Sequence, residues 1–427
     1  MAMPGFGRST IVLWHRYVGL AMAGFLLIAS LTGSLLAFRE AIDEWLAPRF
    51  FVADSPADAP LLDPYVLRER VAAQVGPQGR IDAVVLHLQP GRTARFPVAP
   101  NPAPGGGMHV LDYDEVHADP HSGQVQGRRK REGLGLRPEQ IVPSLFVIHH
   151  SLALPGKWGT LLLGLISLLW TVDCFAGAFL TFPRGRPFLS KWKTAWAIKW
   201  RAGFYRATLD VHRAGGLWLW AVLLLFAWSS VMFNLRDTVY RPAMGLFLSF
   251  DDSWRSVPLR PHPVLAPSLD WSAARDAARQ VMQAQAEQEN FRVHREERLQ
   301  LDRRRGVYAY LVHSTADIRP DVGNTAVLID ADSGAYRGRW LPGAGPAGNV
   351  VSNWMGALHM AHPFGLPYRV FVCIVGLAAA TLSVTGVAIW AKKWRARSSA
   401  KSKRQIAPTN DTSSRPRRPG PLPPQAH

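Results

Sequence analysis

Cysteine is scarce in this 427-residue chain: there are two, Cys174 and Cys373, and both fall inside long apolar runs. Two thiols so placed support neither a disulfide framework nor a thiolate metal site. Acids are sparse as well, 31 Asp and Glu against 49 Lys and Arg, for a formal net charge of +18. Well inside the apolar runs the only acid is Asp173. A nucleotide-binding glycine loop is also lacking, because Gly105-Gly106-Gly107 sits in a proline-rich stretch without the strand-to-helix context of a dinucleotide fold and reads as a flexible turn. The chain therefore carries no recognisable flavin or nicotinamide domain of its own.

What is present is hydrophobic length. A spanning helix needs about 20 consecutive apolar residues to cross a bilayer core of roughly 30 Å, and four runs qualify, at residues 11–38, 158–182, 211–235 and 367–391. The first is too long for a signal-peptide core and has no small-x-small cleavage site after it, so it reads as a retained anchor. Lys and Arg beside helix ends are held on the cytoplasmic side. Residues 183–210 carry Arg184, Arg186, Lys191, Lys193, Lys199, Arg201 and Arg206 against the single acid Asp210, and residues 392–427 begin with Lys392, Lys393, Arg395 and Arg397. Both segments, and residues 1–10, are expected to be cytoplasmic, which leaves residues 39–157 and 236–366 outside. The basic charge is read as topology and attraction to anionic membrane lipid, with no nucleic-acid partner. The Arg, Ser and Pro-rich tail from about Ser398 is expected to be disordered.

The two external regions repeat one order of signals. A helical stretch (63–75 in one, 271–287 in the other) precedes short alternating segments that read as strands, and each region closes on an Asp-x-x-Ser-Gly turn, Asp119 to Gly123 and Asp330 to Gly334. The correspondence continues into the membrane: His15-Arg16-x-x-Gly19 opens the first run and His212-Arg213-x-x-Gly216 the third. Downstream, His149 follows Asp119 by 30 residues and His359 follows Asp330 by 29. The expected fold is thus an α-helical membrane protein of four spans, arising from an internal duplication of helix, small external α+β domain, histidine and helix.

Of fourteen histidines, six sit at the expected membrane boundaries: His15 and His212 at the inner ends, and His149, His150, His359 and His362 at the outer ends. Two neutral imidazoles from facing helices on opposite sides of a flat macrocycle make a six-coordinate b-type haem, and two such pairs make two haems stacked across the bilayer. No Cys-x-x-Cys-His attachment signal occurs, so haem would be held noncovalently. Repeat register selects His15 with His212 for the inner haem and His149 with His359 for the outer, with His150 and His362 as alternates. A boundary histidine can also serve as a plain headgroup anchor. His109, His117 and His121 read as solvated loop residues. Gly19, Gly24, Gly33, Gly164, Gly177, Gly376 and Gly386 permit close approach of a flat cofactor or of a neighbouring helix. Asp173 is open to three roles: a proton path, contact with a haem propionate, or a structural hydrogen bond.

The chain resembles the PepSY-associated transmembrane family, especially its ferric-siderophore reductase branch, over about residues 10 to 395. The resemblance is carried by Trp14-His15-Arg16-Tyr17-Val18-Gly19-Leu20, by Asp210-Val211-His212-Arg213-Ala214-Gly215-Gly216, by Leu358-His359 ahead of Phe364-Gly365-Leu366-Pro367, and by Val384-Thr385-Gly386 before Trp390. It implies two PepSY-like periplasmic units and a multi-pass protein of the bacterial inner membrane with both termini cytoplasmic. It also implies haem b, with haem iron held by His15, His212, His149 and His359, and reduction of a ferric siderophore or other periplasmic acceptor to release Fe(II). The electron donor would be a quinol or a separate reductase. Two other classes of function remain open on the residues: a non-enzymatic membrane-anchored sensor or regulator, and a metal-handling permease built on a periplasmic cluster of His149, His150, His359 and His362.

Overall fold

Apolar runs and mixed α/β segments alternate along the chain, and the structure, a computed structural model, follows that alternation. It describes residues 7–251 and 256–406, with side chains through residue 399. The segments 1–6 and 407–427, and with them most of the expected tail, lie outside the described residues. The helices of eight residues or more are α1 (Arg8–Leu36), α2 (Arg39–Leu46), α3 (Pro64–Val75), α4 (Pro138–Ser151), α5 (Trp158–Thr181), α6 (Phe204–Trp218), α7 (Trp220–Asn234), α8 (Trp271–Gln288), α9 (Ala347–His359) and α10 (Gly365–Ile406). The strands are β1 (Gly79–Arg80), β2 (Ala83–Val85), β3 (Ala94–Pro97), β4 (Ala99–Pro100), β5 (Glu115–Ala118), β6 (Val125–Arg129), β7 (Val293–Asp302), β8 (Val307–Ser314), β9 (Thr325–Asp330) and β10 (Tyr336–Trp340).

Among the described residues three helices, α1, α5 and α10, are long and apolar enough to cross a membrane, and α6 with α7 makes a fourth candidate if the bent pair is one span. Their large apolar side chains stay exposed, Leu13, Leu31 and Leu35 on α1, Leu161, Leu165 and Phe175 on α5, Ile374 and Leu377 on α10. A helix that exposes such a surface needs lipid or a partner to cover it. α1 packs along α10 and along α5, and α5 packs along α7.

The third run departs from the single straight span expected at 211–235. It breaks at Leu219, and α6 and α7 meet at 70°. Gly215 and Gly216 weaken the turn just before the break, and the Trp220 indole donates to the Cys174 carbonyl at 3.0 Å, holding the start of α7 on α5. α6 also begins earlier than expected, at Phe204, because Asp210 organises the basic loop: fully buried, it pairs with Arg206 at 3.0 Å and Arg213 at 2.8 Å. At the other end, α10 continues past Ser398 to Ile406 where disorder was expected.

The elements between the apolar helices, in the two regions expected to be external, are more entangled than two separate small domains. α8 covers a five-stranded antiparallel sheet in the order β10-β9-β8-β7-β2, so the edge strand β2 comes from the first external region. Val84 of β2 is fully buried with Leu299 in the core beneath α8, and Arg303 Nε reaches Asp82 at 2.7 Å. A three-residue strand has too little pattern to announce its partner. The first region keeps β3-β5-β6 and the small pair β1-β4, with α3 on a core of Leu67, Val71, Phe96 and Val116. Local chemistry recurs in both regions. Asp63 caps α3 by accepting from Tyr65 N and Val66 N, and Asp270 caps α8 by accepting from Ala273 N. In the closing turns Asp119 accepts from His121 N at 2.8 Å and Asp330 from Asp332 N at 3.1 Å, while Gly123 and Gly334 take φ of 79° and 73°.

A buried ion network ties the β3-β5-β6 sheet to α2, the short helix that follows α1. Arg129 on β6 bonds Asp43 on α2 at 2.8 Å and Glu115 on β5 at 2.8 Å, and Glu115 also meets His117 Nε2 at 3.0 Å. Burial alone would raise the Glu115 carboxyl, but His117, Arg95 and Arg129 outweigh it and hold it down at about 2. A depressed carboxyl contributes stability above its ordinary value that disappears as the pH falls through the folded one. Wild type should therefore exceed Glu115→Gln in thermal stability by a constant margin at neutral pH, and the margin should shrink between about pH 4.5 and pH 2. Circular dichroism melts in detergent across that range check this; a margin independent of pH would remove Glu115 as the acid-sensitive group.

Candidate cofactor site: two facing histidine pairs

Long-range packing brings four of the six boundary histidines into two pairs. His15 on α1 faces His212 on α6 with ring centres 6.1 Å apart, and His149 on α4 faces His359 on α9 at 6.3 Å. An imidazole–metal bond is about 2 Å, so two rings that ligate one ion from opposite sides stand with centres about 6 Å apart.

The tautomers follow from the partners. His149 Nδ1 lies 3.0 Å from the Ala29 carbonyl and 3.1 Å from Thr32 Oγ1 on α1. His212 Nδ1 lies 3.0 Å from the Leu382 carbonyl and 3.1 Å from Thr385 Oγ1 on α10. A carbonyl only accepts, so each Nδ1 carries the proton. His359 Nδ1 sits 2.7 Å from Ser229 Oγ, whose own hydroxyl donates to the Phe226 carbonyl at 3.1 Å. His15 Nδ1 donates to the Asp173 carboxylate, 2.9 and 3.0 Å from its two oxygens. All four rings are thus held through Nδ1, which leaves each Nε2 lone pair available; none has a hydrogen-bond partner among the described residues. Second-sphere acceptors of this kind fix orientation and raise ligand basicity.

The alternates go elsewhere. His150 points back along α4, with Nδ1 2.7 Å from the Phe146 carbonyl and its ring stacked on Phe146. His362 has its Nε2 against Arg319 at 3.4 Å. His117 and His121, expected as solvated, are buried, because β5 and its turn pack inward: His117 bonds Glu115 and His121 lies by the Pro60 carbonyl. Among the described residues no three His, Cys, Asp or Glu converge to hold a metal ion, so the cluster that a metal permease would use is not assembled.

A cavity of about 490 Å³ surrounds the inner pair, within the roughly 300–1,000 Å³ typical of small-molecule sites. Gly19 and Gly216, each one turn beyond its histidine, line it, and a Cβ at either would meet nothing within 4 Å. Arg16, Arg213 and Lys393 also line it, charges suited to carboxylates. Around the outer pair, Phe226 and Phe233 set their edges against the His359 ring at 5.0 and 5.3 Å. The remaining glycines divide by role. A Cβ on Gly33 would lie 2.9 Å from His149 Cε1, on Gly386 3.1 Å from His212 Cε1, and on Gly177 3.5 Å from His15 Cε1, whereas Gly164 and Gly376 serve helix contacts with Leu235 and Ser34. Gly24 has open space beside it.

A family model described as the PepSY-associated TM region matches residues 12–393. The chain belongs to the PepSY-associated transmembrane family. A search of curated proteins finds no match. In this family member the multi-pass architecture and the histidine geometry are joined in one feature that sequence reading missed. His15 and Thr32 are separated by 17 residues, as are His212 and Ser229, so α1 and the α6–α7 pair each carry an inner histidine and, farther along, the hydroxyl that holds an outer one. The matching intervals were the available signal.

Proposed function

We propose that this protein binds two b-type haems and carries electrons outward across the bacterial inner membrane to a periplasmic acceptor, most simply a ferric siderophore. The observation that supports it is the pairing of four imidazoles, all held through Nδ1 and facing in twos. His15 with His212, and His149 with His359, would each hold one haem iron, and the porphyrin would supply the remaining nitrogen donors. One-electron transfer is the chemistry the haems contribute when bound.

The chain's own residues do the rest. Asp173, Thr385, Thr32 and Ser229 orient the ligands, and Arg16 and Lys393 offer charge partners for propionates at the inner site. The interval from His15 to Thr32 spans about 25 Å along α1, close to the thickness of a bilayer core, which supports a reading with one pair near each face. Basic residues between α5 and α6 and in the C-terminal part of α10 support an orientation with both termini cytoplasmic, and the four spans are read as two copies of one helix–domain–helix unit. A quinol or separate reductase would deliver electrons at the inner site. At the outer site the hard oxygen ligands of a siderophore hold Fe(III) better than Fe(II), so one electron, taking chelated Fe(III) to Fe(II), loosens the metal.

A reduced-minus-oxidised spectrum of the detergent-purified protein with a pyridine haemochrome count tests this. The expected result is two b-type haems per chain, reoxidised anaerobically by a ferric siderophore. Protein without haem after expression with ample haem supply would overturn the reading and favour a membrane-anchored sensor.

A further inference from the structure

The two histidine pairs differ in what their Nδ1 atoms bond. Three of the four imidazoles donate Nδ1–H to neutral oxygens, of Ala29 and Thr32, of Leu382 and Thr385, and of Ser229. The fourth, His15, donates to a carboxylate. Asp173 lies in the middle of α5, is 7% exposed, and places both oxygens within 3.0 Å of His15 Nδ1. Among the described residues no Lys or Arg pairs with it.

We infer that Asp173 is a positioning residue that sets the inner centre at lower reduction potential than the outer one, giving electron flow an outward direction. The inference rests on the haem reading above. An ionised carboxylate bonded to Nδ1–H pushes electron density toward Nε2 and adds a negative charge close to the metal. Both effects favour the ferric form, which carries one more positive charge than the ferrous form, and in a low-dielectric bundle the charge is poorly screened. The hydroxyl and carbonyl partners of the outer pair add no net charge, so the centre between His149 and His359 holds its electron more firmly. One electron leaving the inner iron, ferrous to ferric, and arriving at the outer iron, ferric to ferrous, is then a downhill exchange that needs no other reactant. The pairing also explains how an acid is tolerated at that depth, where an unpartnered carboxylate would be costly.

The test is an anaerobic reductive titration of the haem spectrum in wild type, Asp173→Asn and Ser229→Ala. Wild type should show two resolved one-electron steps. Asn keeps an oxygen acceptor at the same place and loses the charge, so Asp173→Asn should retain both haems and raise only the lower-potential step. The expected rise is about 59 mV or more, which lowers the inner-to-outer equilibrium constant by tenfold or more for one electron. Ser229→Ala should shift the upper step by less than that. Two haems with unchanged steps in Asp173→Asn would overturn the inference and leave the electron-transfer reading intact; a haem-free wild type would overturn that reading itself. If Asp173→Asn loses its inner haem, Asp173→Glu decides: restored haem at low potential supports the role of charge, and restored haem at raised potential refutes it.

Discussion

Replacing His15 with alanine should lower the haem content from two to one per chain, and replacing His359 should do the same at the other face. On the haem reading each substitution removes one of two facing ligands, and among the described residues no group of three His, Cys, Asp or Glu forms that could hold the metal in their place. His150→Ala and His362→Ala should keep both haems, because His150 is turned against Phe146 and the Nε2 of His362 faces Arg319. A haemochrome count on these four variants and on His149→Ala separates these cases. Loss of haem from His150→Ala with retention in His149→Ala would mean that the outer ligand is the neighbour of the one assigned, and the geometry of α4 would have been misread.

The second large effect is expected from a single methyl group. In Gly33→Ala the new Cβ would come within 2.9 Å of His149 Cε1, closer than real Cβ contacts allow. The ring has no easy retreat, since Ala29 and Thr32 of the same helix hold its Nδ1. It must turn away from His359, and outer-haem occupancy should fall towards zero. Gly177→Ala is the matched comparison: its Cβ would stand 3.5 Å from His15 Cε1, an ordinary contact, so two haems should remain. Electron paramagnetic resonance of the ferric protein reports the ligand angle at each site. Identical spectra and haem counts in both variants would show that Gly33 serves helix packing alone.

Much of the scaffold was legible because it is written in local composition. α1 and α5 lie where uninterrupted apolar runs predict them, and α3 and α8 start beside the aspartates that cap them. The Asp-x-x-Ser-Gly turns were equally readable, since their chemistry closes within five residues. The site was only half legible. Repeat register singles out His149 and His359, but a helix places His149 and His150 about 100° apart, and neither residue type nor spacing says which direction faces the partner.

What the sequence determined alone is the set of segments that must leave water, the basic stretches that flank them, and the presence of histidine at both ends of the spans, because each follows from the transfer free energy of residues near one another in the chain. Tertiary structure alone decided the break at Leu219, the capture of β2 by the second sheet, the commitment of Asp173 to His15, and the acceptors that leave four Nε2 atoms free. Those outcomes depend on contacts between residues far apart in the chain, as in the pairing of Ala83 with Gln300 across 217 positions, and no local pattern carries the identity of a partner so far away.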